Sequence, residues 1–342
     1  MQVPDLLDLA TLYKWGGVNF GDEATYRLYL SIKAFARTLS EDVTRVRFFG
    51  RISTRGLPYY IIEGLTGEMD EVDPKLVEGK EGANKYTYWV TQDIESVQWI
   101  KLPIVTMAQI VSCRKSQRFL SGDLTAGVSA YPPFPGSEDS LLRTKIALIA
   151  GATMVSPDGY YEMDEESDPQ VEKMAEAEAL AERFPKPAAE LKEQDAWKHF
   201  ERDLNSLGRV TAMPEETDDN GDPVEAEEVE LVEPLAALKE NGWSFRMGPG
   251  GAGAGSSSAV VGRNLQWPGA IAIAAGRRFI NIYVGNGIPF NAKSYTPPLP
   301  GTIQKEWQAS EEELAATNGI GLLEDVDVRL DPTPPVEEGE EE

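Results

Sequence analysis

Charge is divided so unevenly along this chain that only part of it can be built into a core. Residues 1–150 hold 18 acidic and 17 basic side chains, and the remainder holds 39 acidic and 15 basic. The acidic surplus gathers between residues 162 and 240 and again from 311 to 342. Crowded like charges repel and hydrate, and such blocks bury too little apolar surface to offset the entropy of ordering them. The pattern predicts four parts: a folded α+β part over 1–163, an acidic, partly helical, solvated insert over 164–242, a β meander over 243–301 that completes the core, and an acidic Pro-rich tail of low order over 302–342.

Hydrophobic periodicity fills in the folded parts. Residues 5–15 space Leu6, Leu9, Leu12 and Tyr13 along one side of a helix that ends at Gly16-Gly17. Asp22 is placed to cap a second, amphipathic helix over 23–39. β-Branched and aromatic runs at 46–52 and 57–65, broken at 53–56, predict a hairpin, with a further strand at 86–91. Helices are predicted over 106–120 and 138–154, separated by Tyr131-Pro132-Pro133-Phe134-Pro135-Gly136, and a turn over 156–159. Inside the acidic insert, 171–184 and 188–204 have helix-forming composition, interrupted by Pro185, Pro187, Pro214 and Pro223. From Trp243 the period becomes two, and 243–247, 259–263, 270–274 and 279–284 read as an antiparallel meander. The expected fold is α+β, with helices packed on antiparallel sheets.

Several function classes are disfavoured by composition. A net charge of −25 would repel a polymer of phosphates, so nucleic acid is not an expected partner. His199 and Cys113 are the single histidine and cysteine, which leaves no intrachain disulfide and no zinc site built from several such ligands. No apolar run approaches the roughly 20 residues of a membrane span, the first residues carry acids where a signal peptide carries bases, and no Asn-x-Ser/Thr sequon occurs. These features predict a soluble protein of a reducing, intracellular compartment, with no membrane partner.

Candidate sites are weak when set in context. Gly248-Pro249-Gly250-Gly251-Ala252-Gly253 satisfies the glycine spacing of a dinucleotide loop, but the residues after it read as strand, whereas a pyrophosphate is held at a helix start. Residues 216–227 overlay a calcium loop through Asp218, Asn220, Gly221 and Glu227, yet the first position is Glu and Pro223 interrupts the pattern. His199 has no nucleophile or orienting carboxylate implied by spacing, and Cys113 reads as a small hydrophobe on a packed helix. No catalytic, metal or cofactor residues are expected. The Pro and aromatic clusters suit fixed contacts instead: Tyr131, Pro132, Pro133 and Phe134; Trp267 and Pro268; and Tyr295, Pro297 and Pro298. A second reading makes the chain an acidic scaffold whose PxxP segments are ligands for peptide-binding domains.

Several segments taken in order are distinctive: Arg47-Phe48-Phe49-Gly50-Arg51-Ile52, Gly82-Ala83-Asn84-Lys85-Tyr86, residues 131–136, Trp267-Pro268-Gly269-Ala270 and Tyr295-Thr296-Pro297-Pro298. Together they resemble the radial spoke head protein 4 and 6 family, over roughly residues 16–163 and 243–300. The resemblance implies a non-enzymatic subunit of the radial spoke head in the axoneme of motile cilia and flagella, without cofactors. It implies as partners a paralogous radial spoke head subunit, radial spoke head protein 9, MORN-repeat spoke-head proteins, the spoke stalk scaffold and central-pair projections. Through such contacts the spoke passes mechanical signals to the dynein motors. Against the family pattern, almost none of a further region ahead of residues 13–23 is expected here, Asp123 stands where relatives tend to be basic, and Asn286 stands where a Trp is common.

Overall fold

A computed structural model describes residues 3–39, 43–66, 72–80, 82–164, 171–213, 216–217, 223–224, 231–248 and 259–291, together with Glu311. The chain opens with two helices, α1 (Leu6–Trp15) and α2 (Asp22–Ala36). Asp5 caps α1 by accepting from the backbone N–H groups of Leu7 and Asp8. Asp22 does not cap α2. The N-cap is Gly21, and the Asp22 carboxylate turns back to Lys14 at 2.8 Å, so a cross-helix charge competes successfully with the local cap.

Strands β1 (Val43–Ile52), β2 (Tyr59–Thr66), β3 (Tyr86–Thr91) and β4 (Ile100–Lys101) follow, then α3 (Met107–Lys115) and α4 (Glu138–Thr153). Thr106 and Gln109 form a reciprocal capping box at the start of α3. The helix predicted over 106–120 stops at Lys115, because the chain turns extended at Ser116 and carries Leu120 into the core, where its carbonyl pairs with Arg55 N–H. The rest comprises β5 (Val155–Pro157), β6 (Tyr161–Asp164), β7 (Val171–Met174), α5 (Ala177–Arg183), α6 (Ala188–Leu191), β8 (Trp197–His199), β9 (Glu216–Thr217), β10 (Pro223–Val224), β11 (Trp243–Met247), β12 (Val260–Asn264), β13 (Ala270–Ala275) and β14 (Arg278–Gly285).

The predicted α+β class holds, and the C-terminal strands form the expected meander. What periodicity did not reveal is how the two strand groups join. They make one eight-stranded sheet in the order β11-β12-β13-β14-β1-β2-β3-β4, closed at its centre by a parallel pairing of β14 with β1. Gly50 lies opposite Tyr283 at that seam, next to a register shift between Phe48 and Gly50, with φ at +148°. A Cβ there would lie 2.8 Å from the carbonyl carbon of Tyr283 and closer still to its oxygen.

Alternation along the strands sorts side chains to two faces. Phe49, Ile52, Ile61, Tyr88 and Val90 pack against α3 and α4. Val46, Phe48, Ile62, Trp89, Ile273 and Ile282 pack against α1 and α2. The result is a sheet between two helical layers.

The acidic insert is less solvated than its charge suggested. Residues 188–204 are not one helix: α6 is a single turn, and β8 pairs antiparallel with β5. Trp197 is fully buried and stacks on Phe245 at 5.0 Å, while Phe200, Leu204 and Val210 join the core beneath α4. Residues 171–184 likewise begin as strand β7, paired with β6, before the helical turn of α5. Apolar side chains set among the acids decide these placements, since burying Trp197 outweighs the cost of holding neighbouring charges at the surface. The turn expected over 156–159 is narrower, because Ser156 and Pro157 belong to β5.

Candidate interaction surfaces

The sequence-predicted anchors separate into buried and exposed members. Tyr131 is 77% exposed and Pro133 is exposed, whereas Phe134 is inserted into the core, and Gln109 Nε2 donates to the Pro135 carbonyl at 3.0 Å. Trp267 is buried and its N–H donates to Asn264 Oδ1, leaving Pro268 on the surface. The two groups sit on different loops, one before α4 and one between β12 and β13. Tyr295, Pro297 and Pro298 lie outside the described residues, as do most of the glycine-rich loop after Gly248, most of residues 216–227 and the tail.

Other distinctive segments hold the fold together. Asn84 donates to the carbonyls of Glu78 and Val105 and accepts from Val105 N–H and Arg143. Lys85 and Tyr86 both reach the carboxylate of Glu201. Glu78 is buried and accepts from the N–H groups of Ala83, Val210 and Thr211 and from the Thr211 hydroxyl, with Arg209 3.9 Å away. Glu138 is held the same way by the Tyr59 hydroxyl and the N–H groups of Ser121 and Gly122. Asp123 and Asn286 organise their own turns, accepting from Thr125 and Ile288 respectively.

The titratable groups do not assemble into a reaction centre among the described residues. Burial pushes the Cys113 thiol up, which keeps it protonated and unreactive. His199 borders a cavity of about 60 Å³, room for little more than water, and its Nδ1 is buried without a partner. Burial draws its pKa down to about 4, against a partial upward pull from Asp203. An unfolded His takes up its proton near pH 6.5 while the folded one stays neutral, so stability is lost as pH falls from about 6.5 towards 4. Unfolding free energies from urea titration at pH 7.5 and pH 5 should differ by roughly 2 kcal/mol more for the native chain than for His199→Gln. Equal losses in both would contradict this burial.

A cleft of about 550 Å³ lies beside the α1–α2 loop, lined by residues 16–20, Arg51, Arg263, Leu265, Pro268 and the adjoining strand residues. Among the described residues it contains two guanidinium groups and no carboxylate. Arg263 donates to the Gly16 carbonyl at 3.1 Å. Arg51 lies over the Phe20 ring, its Cζ 5.6 Å from the centroid, and its buried Nε has no hydrogen-bond partner among the described residues. Phe20 is fixed in turn by an edge contact on Phe48. Leu265 and Phe290 are exposed, and Phe290 N–H bonds the carbonyl of Gln266, next to Leu265. Sequence reading missed Arg51, Arg263, Phe20 and Phe290 as a group. The available signal was a lone Arg in each of two otherwise apolar strand ends, Arg51-Ile52 and Val261-Gly262-Arg263.

The architecture defines an α+β protein with a central eight-stranded sheet, buried carboxylates held by backbone N–H groups and an open, cationic surface cleft. The chain belongs to the radial spokehead-like protein family, whose description matches residues 1–81 and 66–319. It is 31% identical over 377 aligned positions to radial spoke head protein 6 homolog A of Homo sapiens, covering 91% of this chain and 52% of that protein. It is 30% identical over 375 positions to radial spoke head protein 4 homolog A of Homo sapiens, covering 91% and 51%. Flagellar radial spoke protein 4 of Chlamydomonas reinhardtii is 28% identical over 349 positions, covering 91% and 72%. The chain thus spans about half the length of the two human proteins.

Proposed function

We propose that this chain is a non-catalytic structural subunit of the radial spoke head in the axoneme of cilia or flagella. The observation that carries the reading is the family match over most of the chain, with relatives named as radial spoke head proteins. The fold supports it physically. A sheet continuous from both sequence halves, with carboxylates such as Glu78 and Glu138 tied to backbone N–H groups, gives a stiff body suited to transmitting force.

In this role the chain pairs with a paralogous spoke-head subunit and assembles with radial spoke head protein 9, MORN-repeat head proteins and the stalk scaffold. The assembled head meets central-pair projections and relays their position to the dynein arms. The burial of Phe134 weighs against residues 132–135 as a free Pro-rich ligand, while the other two PxxP segments of the scaffold reading lie outside the described residues. Fractionation of isolated cilia tests the proposal. The chain should stay with the axonemal pellet after detergent and moderate salt and leave together with other spoke components. Release with the detergent-soluble matrix would contradict it.

A further inference from the structure

We propose that the Arg51–Arg263 cleft is a docking site for an extended segment of a partner protein that presents a carboxylate beside a bulky apolar side chain. The inference stands on the cleft alone and does not depend on the spoke-head reading.

The charge is the first argument. In a chain of net charge −25, a cleft whose described lining holds two arginines and no acid is a local exception. The buried Nε of Arg51 has no hydrogen-bond partner among the described residues, and the guanidinium lies over the Phe20 ring. A planar guanidinium with open donors matches a carboxylate in a paired, two-bond geometry. Arg51 is half-buried, so a charge-assisted bond there is screened less than on open surface.

The walls are the second argument. Phe20, Leu265 and Pro268 line the cleft, and Phe290 stands 77% exposed next to the Gln266–Leu265 turn. Aromatic side chains and arginine are enriched at protein interfaces, and Phe20 with the two arginines supplies both here. A volume of about 550 Å³ takes a few side chains, not a folded domain. A phosphate polymer could satisfy the arginines, but it would leave the apolar walls uncovered and meet the acidic remainder of the chain.

The geometry is rigid enough to be selective. Gly269 has φ at +104°, and a Cβ there would lie 2.7 Å from the Val284 carbonyl carbon, so the loop carrying Pro268 is pressed on β14. Val284 N–H closes that contact on the Gly269 carbonyl at 2.8 Å. Arg263, bonded to Gly16, ties the α1–α2 loop to β12 across the cleft floor.

The test uses the full chain and a phage-displayed library of random dodecapeptides, with Arg51→Met and the double variant Arg51→Met/Arg263→Met as comparison targets. Peptides enriched on the native chain should carry an Asp or Glu within two positions of a Leu, Ile, Phe or Met. Synthesised, they should lose roughly tenfold in affinity on Arg51→Met and about a hundredfold on the double variant, and their own Glu→Gln forms should lose as much. Arg51→Lys keeps the charge without the fork and should give an intermediate loss even if the Met variants fold poorly. Enrichment no greater than on the double variant would overturn the proposal. So would peptides indifferent to their carboxylate, or a single-stranded RNA dodecamer that binds the same arginines more tightly than any peptide.

Discussion

Gly50→Ala should abolish the cooperative fold, with a destabilisation of about 4 kcal/mol or more in urea titration. The native φ of +148° excludes an L side chain, and the added methyl would occupy the space of the Tyr283 carbonyl at the parallel pairing of β1 with β14. Relief requires those strands to part, which exposes Phe49, Ile52 and Tyr283 together. Since a domain of this kind retains roughly 5–15 kcal/mol in all, a large share of that reserve disappears. Gly127→Ala is the matched control: Gly127 has open space around it and an ordinary φ, and the change should stay within about 0.5 kcal/mol. A Gly50→Ala chain with a native midpoint would mean that the two halves of the sheet do not join at this residue.

Glu78→Ala should cost roughly 3–5 kcal/mol. The side chains of Glu78 and Arg209 are 1% and 4% exposed, so truncating the carboxylate leaves a buried guanidinium without its anion and several N–H and O–H donors without an acceptor. Arg209 keeps bonds to the carbonyls of Pro74, Thr211 and Ala212, which limits the damage. Removing both charges as Glu78→Leu/Arg209→Met should therefore be less harmful than the sum of the single changes, a coupling that a double-mutant cycle reads directly. Additive losses would show that the pair is electrostatically idle.

These two positions also show what the sequence made legible. The strands and most helices could be read because their apolar spacing is a local property, as in Leu6, Leu12 and Tyr13 of α1 or the alternation of Tyr88 with Trp89 in β3. The pairing of β14 with β1 was not legible, since it joins residues some 230 positions apart in the chain and periodicity carries no record of neighbours. Gly50 could be quoted as part of a motif without its reason being visible. Within the acidic region, charge was an unreliable guide: the region contains Trp197 and Phe200, whose burial draws the surrounding backbone onto the sheet. The cleft was the least legible feature, because Phe20, Arg51, Arg263 and Pro268 come from four separate elements and only the closed sheet brings them together.

The account also predicts which disturbances will be tolerated. Changes at Tyr131 should leave the urea midpoint of the isolated chain nearly untouched, because the ring is 77% exposed. Phe134 should behave in the opposite way, as a core residue whose loss is felt by the isolated chain.

Cryo-electron tomography of cilia from cells lacking this protein tests the structural-subunit claim most directly. Spokes whose heads are missing or visibly incomplete, restored when the native chain is returned, are the predicted result. Spokes that keep complete heads in its absence would contradict the claim.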